Sequence, residues 1–274
     1  MAEPIKLRKL RTGQLTLLDQ IYKYRFVTID LLQTTLRTKR NSGLYQKVET
    51  LVKQNYIGKR YKPSYRYKRL KATYYLLPKG LRAIQSLPKH EAIDNKLIKA
   101  SYKDKTVSDK FIRRILQFYT VILHLQELYP TLKFFTKREM ASFSYFPRPL
   151  PDGLISLKAN QTSKPKRYLI DCIYTDMPGY AIKGKLNRII EFFEEGGWEP
   201  TKSKLPIVIF LCDKAKTEQR VRYLITNYLE NFEVDNITVY TSTILAISNA
   251  TLDNLTVWSD VTEPDQLLEL VALS

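Results

Sequence analysis

Cysteine and histidine are scarce in this chain of 274 residues, which has two of each: Cys172, Cys212, His90 and His124. Two thiols and two imidazoles at those separations do not make a tetrahedral zinc site. Each cysteine lies within an apolar, strand-like run, where a free thiol behaves as a small buried hydrophobe, so a reducing cytoplasm is expected. A serine or cysteine hydrolase needs a histidine beside its nucleophile, and neither is so placed: His90 falls in a polar stretch and His124 on a helical one ahead of the strands. Phosphate-cradling loops are missing too. There is no Walker sequence and no GxGxxG after a strand, and Gly184 stands alone among lysines, which argues against an NTPase. Nowhere do about 18 uncharged apolar residues follow one another, and the start MAEPIKLRKLR has no apolar core, so neither a membrane span nor a signal peptide is expected.

The scarcity with most consequence is that of acid in the first part of the chain. Residues 1–110 hold 26 Lys and Arg against 8 Asp and Glu, whereas residues 111–274 hold 19 of each, so the whole net charge of +18 lies in the first part. The length and a hydrophobic content of 44% allow about two packed domains. One basic module in a two-domain protein implies a polyanionic partner for that module.

Three helical periods and a hairpin are written into it. Gln14 to Tyr24 puts Leu15, Leu18 and Tyr22 on one face, and Thr28 is a cap for Ile29 to Leu36, whose Leu31, Leu32 and Leu36 face inward. After the RTKR run a third helix begins at Asn41-Ser42, with Leu44, Val48 and Leu51 as its buried stripe. It presents Tyr45, Gln46, Lys47 and Glu49, with Asn41 and Ser42, as candidates to meet base edges. Tyr56 to Lys62 and Lys71 to Leu77, rich in Tyr, Ile and Thr, read as strands turned by Pro63-Ser64. Their tip carries Lys59, Arg60, Lys62, Arg66, Lys68 and Arg69, interleaved with Tyr61, Tyr65 and Tyr67. Cations that meet phosphates release condensed counterions, and tyrosine packs on sugar or hydrogen-bonds phosphate. Helices followed by a basic hairpin are the outline of a winged helix-turn-helix that binds double-stranded DNA.

Residues 1–88 are therefore the expected DNA-binding domain, closed by a short helix from Pro78 to near Leu87-Pro88. Residues 89–108, polar and of both charge signs, are expected to be a linker. From residue 109 a long helix runs to Tyr129, with Phe111, Ile115, Phe118, Ile122 and Leu125 spaced by three and four, and Pro130 stops it. Strands follow at Leu132 to Phe135, Leu154 to Leu157 and Tyr168 to Tyr174, then helix Ala181 to Glu195, strand Leu205 to Cys212, helix Glu218 to Asn231, strand Ile237 to Thr241 and a last helix from Pro264 to Leu273. That order describes an α/β domain with a mixed sheet over residues 109–274, and an α+β chain as a whole.

Two acids stand out in this domain. Asp152 opens a strand in Pro151-Asp152-Gly153, a setting in which Asp is also a common turn residue. Asp171 sits mid-strand in YLIDCIY, where a carboxylate is costly unless paired or metal-bound; Arg148, Lys166 and Arg167 are candidate partners. One carboxylate at a strand start and another on the adjacent strand can share a divalent ion, which polarises a scissile phosphate and lowers the pKa of an attacking water. This arrangement resembles the core of PD-(D/E)XK nucleases. With the N-terminal winged helix, the chain is similar to the replication-relaxation family of plasmids and phages and, more distantly, to mobilisation relaxases. The resemblance implies Asp152 and Asp171 as metal ligands, Glu139 in FFTKREM as a preceding acid, and Mg2+ or Mn2+ as the cofactor of an active site. The chain departs from the pattern at Ile173, two residues after Asp171, where those nucleases carry a lysine. Lys183 or Lys185 on the following helix is the expected replacement in a working site.

The expected function is duplex DNA binding in the replication or mobilisation of a bacterial mobile element, with a degenerate nuclease-like domain and with replication or transfer proteins as further partners. Two alternatives stand beside it. One is a magnesium-dependent endonuclease or relaxase using Glu139, Asp152, Asp171 and a migrated lysine; the other is a transcription or copy-number regulator whose second domain only binds a partner.

Overall fold

The computed structural model describes residues 10–38, 42–90, 93–160, 162–232 and 237–273; Asn41 and the side chain of Ser42, both expected at a DNA interface, lie outside what is described. The chain divides into two compact units, Met1–Tyr119 and Thr120–Ser274.

In the first unit, α1 (Thr12–Tyr24), α2 (Ile29–Leu36) and α3 (Ser42–Lys53) pack on one another. Leu17, Leu18 and Ile21 of α1, Leu32 of α2, and Val48 and Leu51 of α3 are almost wholly buried. Each helix thus carries one apolar stripe and is held by burying it on its neighbours rather than by its own propensity. Thr28 caps α2, its hydroxyl oxygen accepting from the Leu31 N–H at 3.2 Å. Next come β1 (Ile57–Arg60), α4 (Pro63–Tyr67) and β2 (Thr73–Leu76). The strands pair antiparallel, Ile57 opposite Leu76 and Arg60 opposite Thr73, and Val27 adds a single bridge to Tyr74. They are shorter than the residue preferences suggest. The tip between them winds into a helical turn, since Pro63 presets the first helical φ and Tyr65 buries its ring.

α5 (Pro78–Gln85) packs on α1, and α6 (Asn95–Ala100) packs on α5. Residues 89–108 are thus not the linker that their polar composition suggests. Ile93 and Ile98 are buried, Asp94 caps α6, and buried Asp104 accepts two bonds from Arg25, at 2.7 and 3.0 Å. A few anchors, not an apolar period, fix this stretch to the first unit. The division between the units falls within α7 (Asp109–Leu128).

The second unit is built on a mixed seven-stranded sheet. In chain order its elements are β3 (Lys133–Thr136), α8 (Lys137–Met140), β4 (Gly153–Leu157), β5 (Lys166–Ile173), α9 (Gly179–Glu194), β6 (Ile207–Cys212), α10 (Ala215–Phe232), β7 (Val239–Thr243), α11 (Ile244–Asn249), β8 (Trp258–Asp260) and β9 (Leu267–Leu268). The strands lie in sequence order; β5–β6–β7 are parallel and the pairings on either side are antiparallel. Two successive right-handed crossovers in one direction leave their helices on one face. There α9 and α10 pack together, and Leu169, Ile173 and Phe210 of the sheet meet Ile182, Leu186 and Ile189 of α9 and Val221 and Ile225 of α10. The helix expected over Pro264–Leu273 is absent. Leu267 and Leu268 pair with β8 instead, and the carbonyls of Leu270, Val271 and Leu273 accept from the Tyr168 hydroxyl and the Lys166 ammonium, which fastens the segment to β5. Among the described residues no helix is long and apolar enough to cross a membrane.

Candidate functional site

Alternation along β5 places Leu169, Asp171 and Ile173 on the face covered by α9, so Asp171 enters an apolar layer and its side chain is 1% exposed. Asp152 immediately precedes β4. Because Gly153 pairs with Ile170, the two acids meet across the β4–β5 ladder, the Asp152 N–H donating to Asp171 Oδ1 at 3.2 Å. Packing dictates the glycine of the Pro-Asp-Gly turn: a Cβ at Gly153 would lie 2.3 Å from the Phe134 ring.

Three cations close on the two acids. From α9, Lys185 Nζ donates to Asp171 Oδ1 at 2.6 Å and lies 3.8 Å from Asp152 Oδ2, and Arg188 donates to Asp171 Oδ2 at 2.8 Å. Lys137, at the start of α8, is 2.6 Å from Asp152 Oδ1, and the Cys172 N–H donates to Asp152 Oδ2 at 2.7 Å. All four carboxylate oxygens are therefore engaged, and the cluster of two acids and three bases carries one net positive charge. Lys185 and Arg188, three residues apart, share a helical face; that spacing on a crossover helix was the available signal for Arg188, which sequence reasoning missed along with Lys137.

Burial pushes the Asp152 carboxyl up, but Lys185 and Lys137, with the hydrogen bonds from Lys137 and the Cys172 N–H, outweigh it and hold the group down at about 2 against an ordinary 3.8. Asp171 moves the other way, because its complete burial and the Asp152 charge outweigh Lys185 and Arg188. Burial lowers Lys185, yet the two carboxylates raise it overall. The depressed Asp152 contributes stability above the ordinary carboxylate pKa that is lost as pH falls through its folded value. The stability difference between the protein and Asp152→Asn is thus expected to be flat from about pH 7 to 5 and to shrink by about 2 kcal/mol between about pH 4 and 2, as read from urea titrations. A difference that ignores pH over that range would mean that the lysines do not hold Asp152 charged.

The remaining expected residues stand elsewhere. Glu139 closes a capping box on α8, its Oε2 accepting from the Thr136 N–H at 2.8 Å and hydroxyl at 3.0 Å. Among the described residues no three His, Cys, Asp or Glu come together to hold a metal, so Glu139 does not join the pair. Lys183 touches neither acid; two residues from Lys185 it lies on another side of α9. Arg148, Lys166 and Arg167 do not pair with Asp171. Arg148 donates to the Ala141 and Phe143 carbonyls and Lys166 to those of Val271 and Leu273, while Arg167 lies four residues, about 13 Å, back along β5. Ile173 is wholly buried in the core under α9, which explains why that position is apolar.

In the first unit the hairpin has two faces. Lys59 and Tyr74 turn to α3, where both bond Glu49 Oε1, at 2.8 and 3.0 Å. Arg60 turns the other way, to Asp109 at 2.7 Å and the Val107 carbonyl; Lys62 reaches Asp109 at 3.2 Å. Burial pushes Asp109 up, but Lys62, Tyr65 and Arg60 outweigh it and hold it below the ordinary range. Glu49 is thus an internal anchor rather than an exposed reader. Gln46 and Lys47 are exposed, as is half of Tyr45, and on the tip Arg66, Lys68 and Arg69 are exposed and make no ion pair among the described residues.

No family model matches the chain, and no curated protein matches it. Among solved structures it is similar to that of the restriction endonuclease FokI, with 12% identity and a TM-score of 0.34, over 92% of this chain and 47% of that one. The chain thus spans about half the length of that structure. A likeness this loose carries no argument about fold or function, which rest on the residues above.

Proposed function

We propose that the protein binds double-stranded DNA through its first unit, acting as a winged helix-turn-helix in the replication or mobilisation of a bacterial plasmid or phage, and that its second unit is a nuclease-like scaffold without strong cutting activity. One observation carries the reading: the exposed Gln46 and Lys47 of α3 adjoin a hairpin whose tip bears three exposed cations, Arg66, Lys68 and Arg69, that make no ion pair among the described residues. A helix facing a groove beside a cationic tip on the phosphates is the arrangement that such modules use. Replication or transfer proteins of the same element are its further partners. If about six to eight phosphates are contacted, the logarithm of the affinity for a duplex should fall with the logarithm of salt concentration with a slope near minus six. Titrations by fluorescence anisotropy check this, and a flat salt dependence would remove DNA as the partner.

The convergence of Asp152, Asp171 and Lys185 favours a second reading, a Mg2+- or Mn2+-dependent endonuclease. The donor set argues against it. Mg2+ takes about six oxygens, whereas every oxygen of this pair already accepts from an ammonium, a guanidinium or a backbone N–H, in a cluster that is already net positive. Supercoiled DNA incubated with Mn2+ is accordingly expected to stay unnicked. Robust nicking that disappears in Asp171→Asn would establish the endonuclease instead.

A further inference from the structure

On the same sheet face as the acids, four residues along the β4–β5 ladder, Ser156 pairs with Arg167 in the lining of a cavity of about 440 Å3. Its walls are aromatic. Phe143, Tyr145 and Trp198 line it, with Tyr145 edge-on to Trp198 at 6.2 Å between ring centroids and Phe143 tilted against Tyr145 at 5.1 Å. The indole is fixed by its N–H, which donates to the Lys204 carbonyl at 3.0 Å and lies 3.1 Å from the Ser203 hydroxyl. Phe143, by contrast, remains 44% exposed at the rim, an uncovered ring on an otherwise filled aromatic cluster. Arg167 makes no ion pair or side-chain hydrogen bond among the described residues, while the neighbouring carboxylate, Glu139, is tied to Thr136.

We propose that this cavity binds one nucleotide, either free or as a unit of a single strand, with the base against Phe143 and Tyr145 and the phosphate on Arg167. Flat rings in the wall suit any base, since every base has a π-face, and a lone guanidinium suits one phosphate through paired, charge-assisted hydrogen bonds. The volume falls within the roughly 300 to 1,000 Å3 typical of small-molecule sites. The site lies about 13 Å along β5 from Asp171, clear of the acid cluster, and is independent of duplex binding by the first unit.

Trp198 supplies the readout. The chain has two tryptophans, both buried, and only Trp198 lines the cavity; Trp258, on β8, does not. Full-length protein is titrated with thymidine monophosphate and, separately, with the single strand (dT)8, following tryptophan fluorescence. Saturable quenching is expected with at least one of them, and it should vanish in Trp198→Phe. Quenching by the mononucleotide assigns a free-nucleotide site; quenching by (dT)8 alone assigns a strand unit. Arg167→Gln and Phe143→Ala, both at solvent-reaching positions, should each weaken binding about tenfold or more without lowering the thermal midpoint. The Arg167→Gln result stands by itself if Phe143→Ala does not fold. Absence of saturable quenching by either ligand, or an unchanged dissociation constant in Arg167→Gln, overturns the assignment.

Discussion

Lys185→Met is expected to lower the unfolding free energy at pH 7 by about 3–5 kcal/mol, although it exchanges a side chain for one of similar length and better helix packing. The cause is what it leaves behind. Asp171 is 1% exposed, and Lys185 is the nearest of its charged partners, at 2.6 Å, with Arg188 at 2.8 Å. Without the ammonium, one carboxylate oxygen of Asp171 keeps only the Asp152 N–H, and Asp152 itself stands closer to an uncompensated like charge. The loss should also depend on pH in a definite direction. Burial already raises Asp171 above its ordinary value, and removing Lys185 raises it further, so in the variant the folded state takes up a proton that the unfolded state does not. The variant therefore gains more stability than the protein itself as pH falls from neutral towards about 4, and the gap between them narrows. Lys183→Met, on the same helix but touching neither acid, should stay within roughly 0.5 kcal/mol of the protein. Urea unfolding of the three proteins at several pH values decides it. Equal and small losses for both lysines, independent of pH, would mean that the cluster is open to solvent.

The second large effect concerns the hairpin. Replacing Arg66, Lys68 and Arg69 together by glutamine should flatten the salt slope of duplex binding by about three and weaken binding at about 0.1 M salt at least tenfold. The matching triple replacement of Lys59, Arg60 and Lys62 should flatten the slope by about one or less. These cations sit on the same ribbon, but each already has a carboxylate partner at 2.7 to 3.2 Å, Lys59 on Glu49 and Arg60 and Lys62 on the shared Asp109, so only one net charge is left over. A cation that already has a carboxylate partner gains little from a phosphate. Two triples with equal effects would show that the ion pairs open on binding. No change in the first would remove the tip from the interface.

The contrast between those triples also marks how far the sequence can be read. Spacing by three and four located the helices and most of the stripe of α3, but it missed Leu17 and Ile21 of α1 and put Phe111, which is exposed, on the inner face of α7, while alternation with β-branched runs located β4 to β7, because periodicity follows from which side of an element is kept from water. The charge asymmetry, and the oddity of a carboxylate in YLIDCIY, were equally plain, since both are properties of composition and of local apolar context. The partners of those charges were not. That Asp171 pairs with Lys185 and Arg188 rather than with Arg148, Lys166 or Arg167, that Asp109 captures Arg60 and Lys62, and that Glu139 caps α8 instead of joining the acids all depend on register and helix rotation. Polar composition likewise suggested a linker over residues 89–108 and acidic first turns suggested a terminal helix after Pro264, where anchors distant in sequence, Arg25 on Asp104 and Tyr168 and Lys166 on the last carbonyls, decided otherwise. The sequence by itself thus determined most of the elements and their buried faces, and the uneven charge, which are local or additive properties. Only the tertiary structure decided which charges neutralise one another, because an ion pair forms over a few Å between residues whose separation along the chain carries no information about their separation in space.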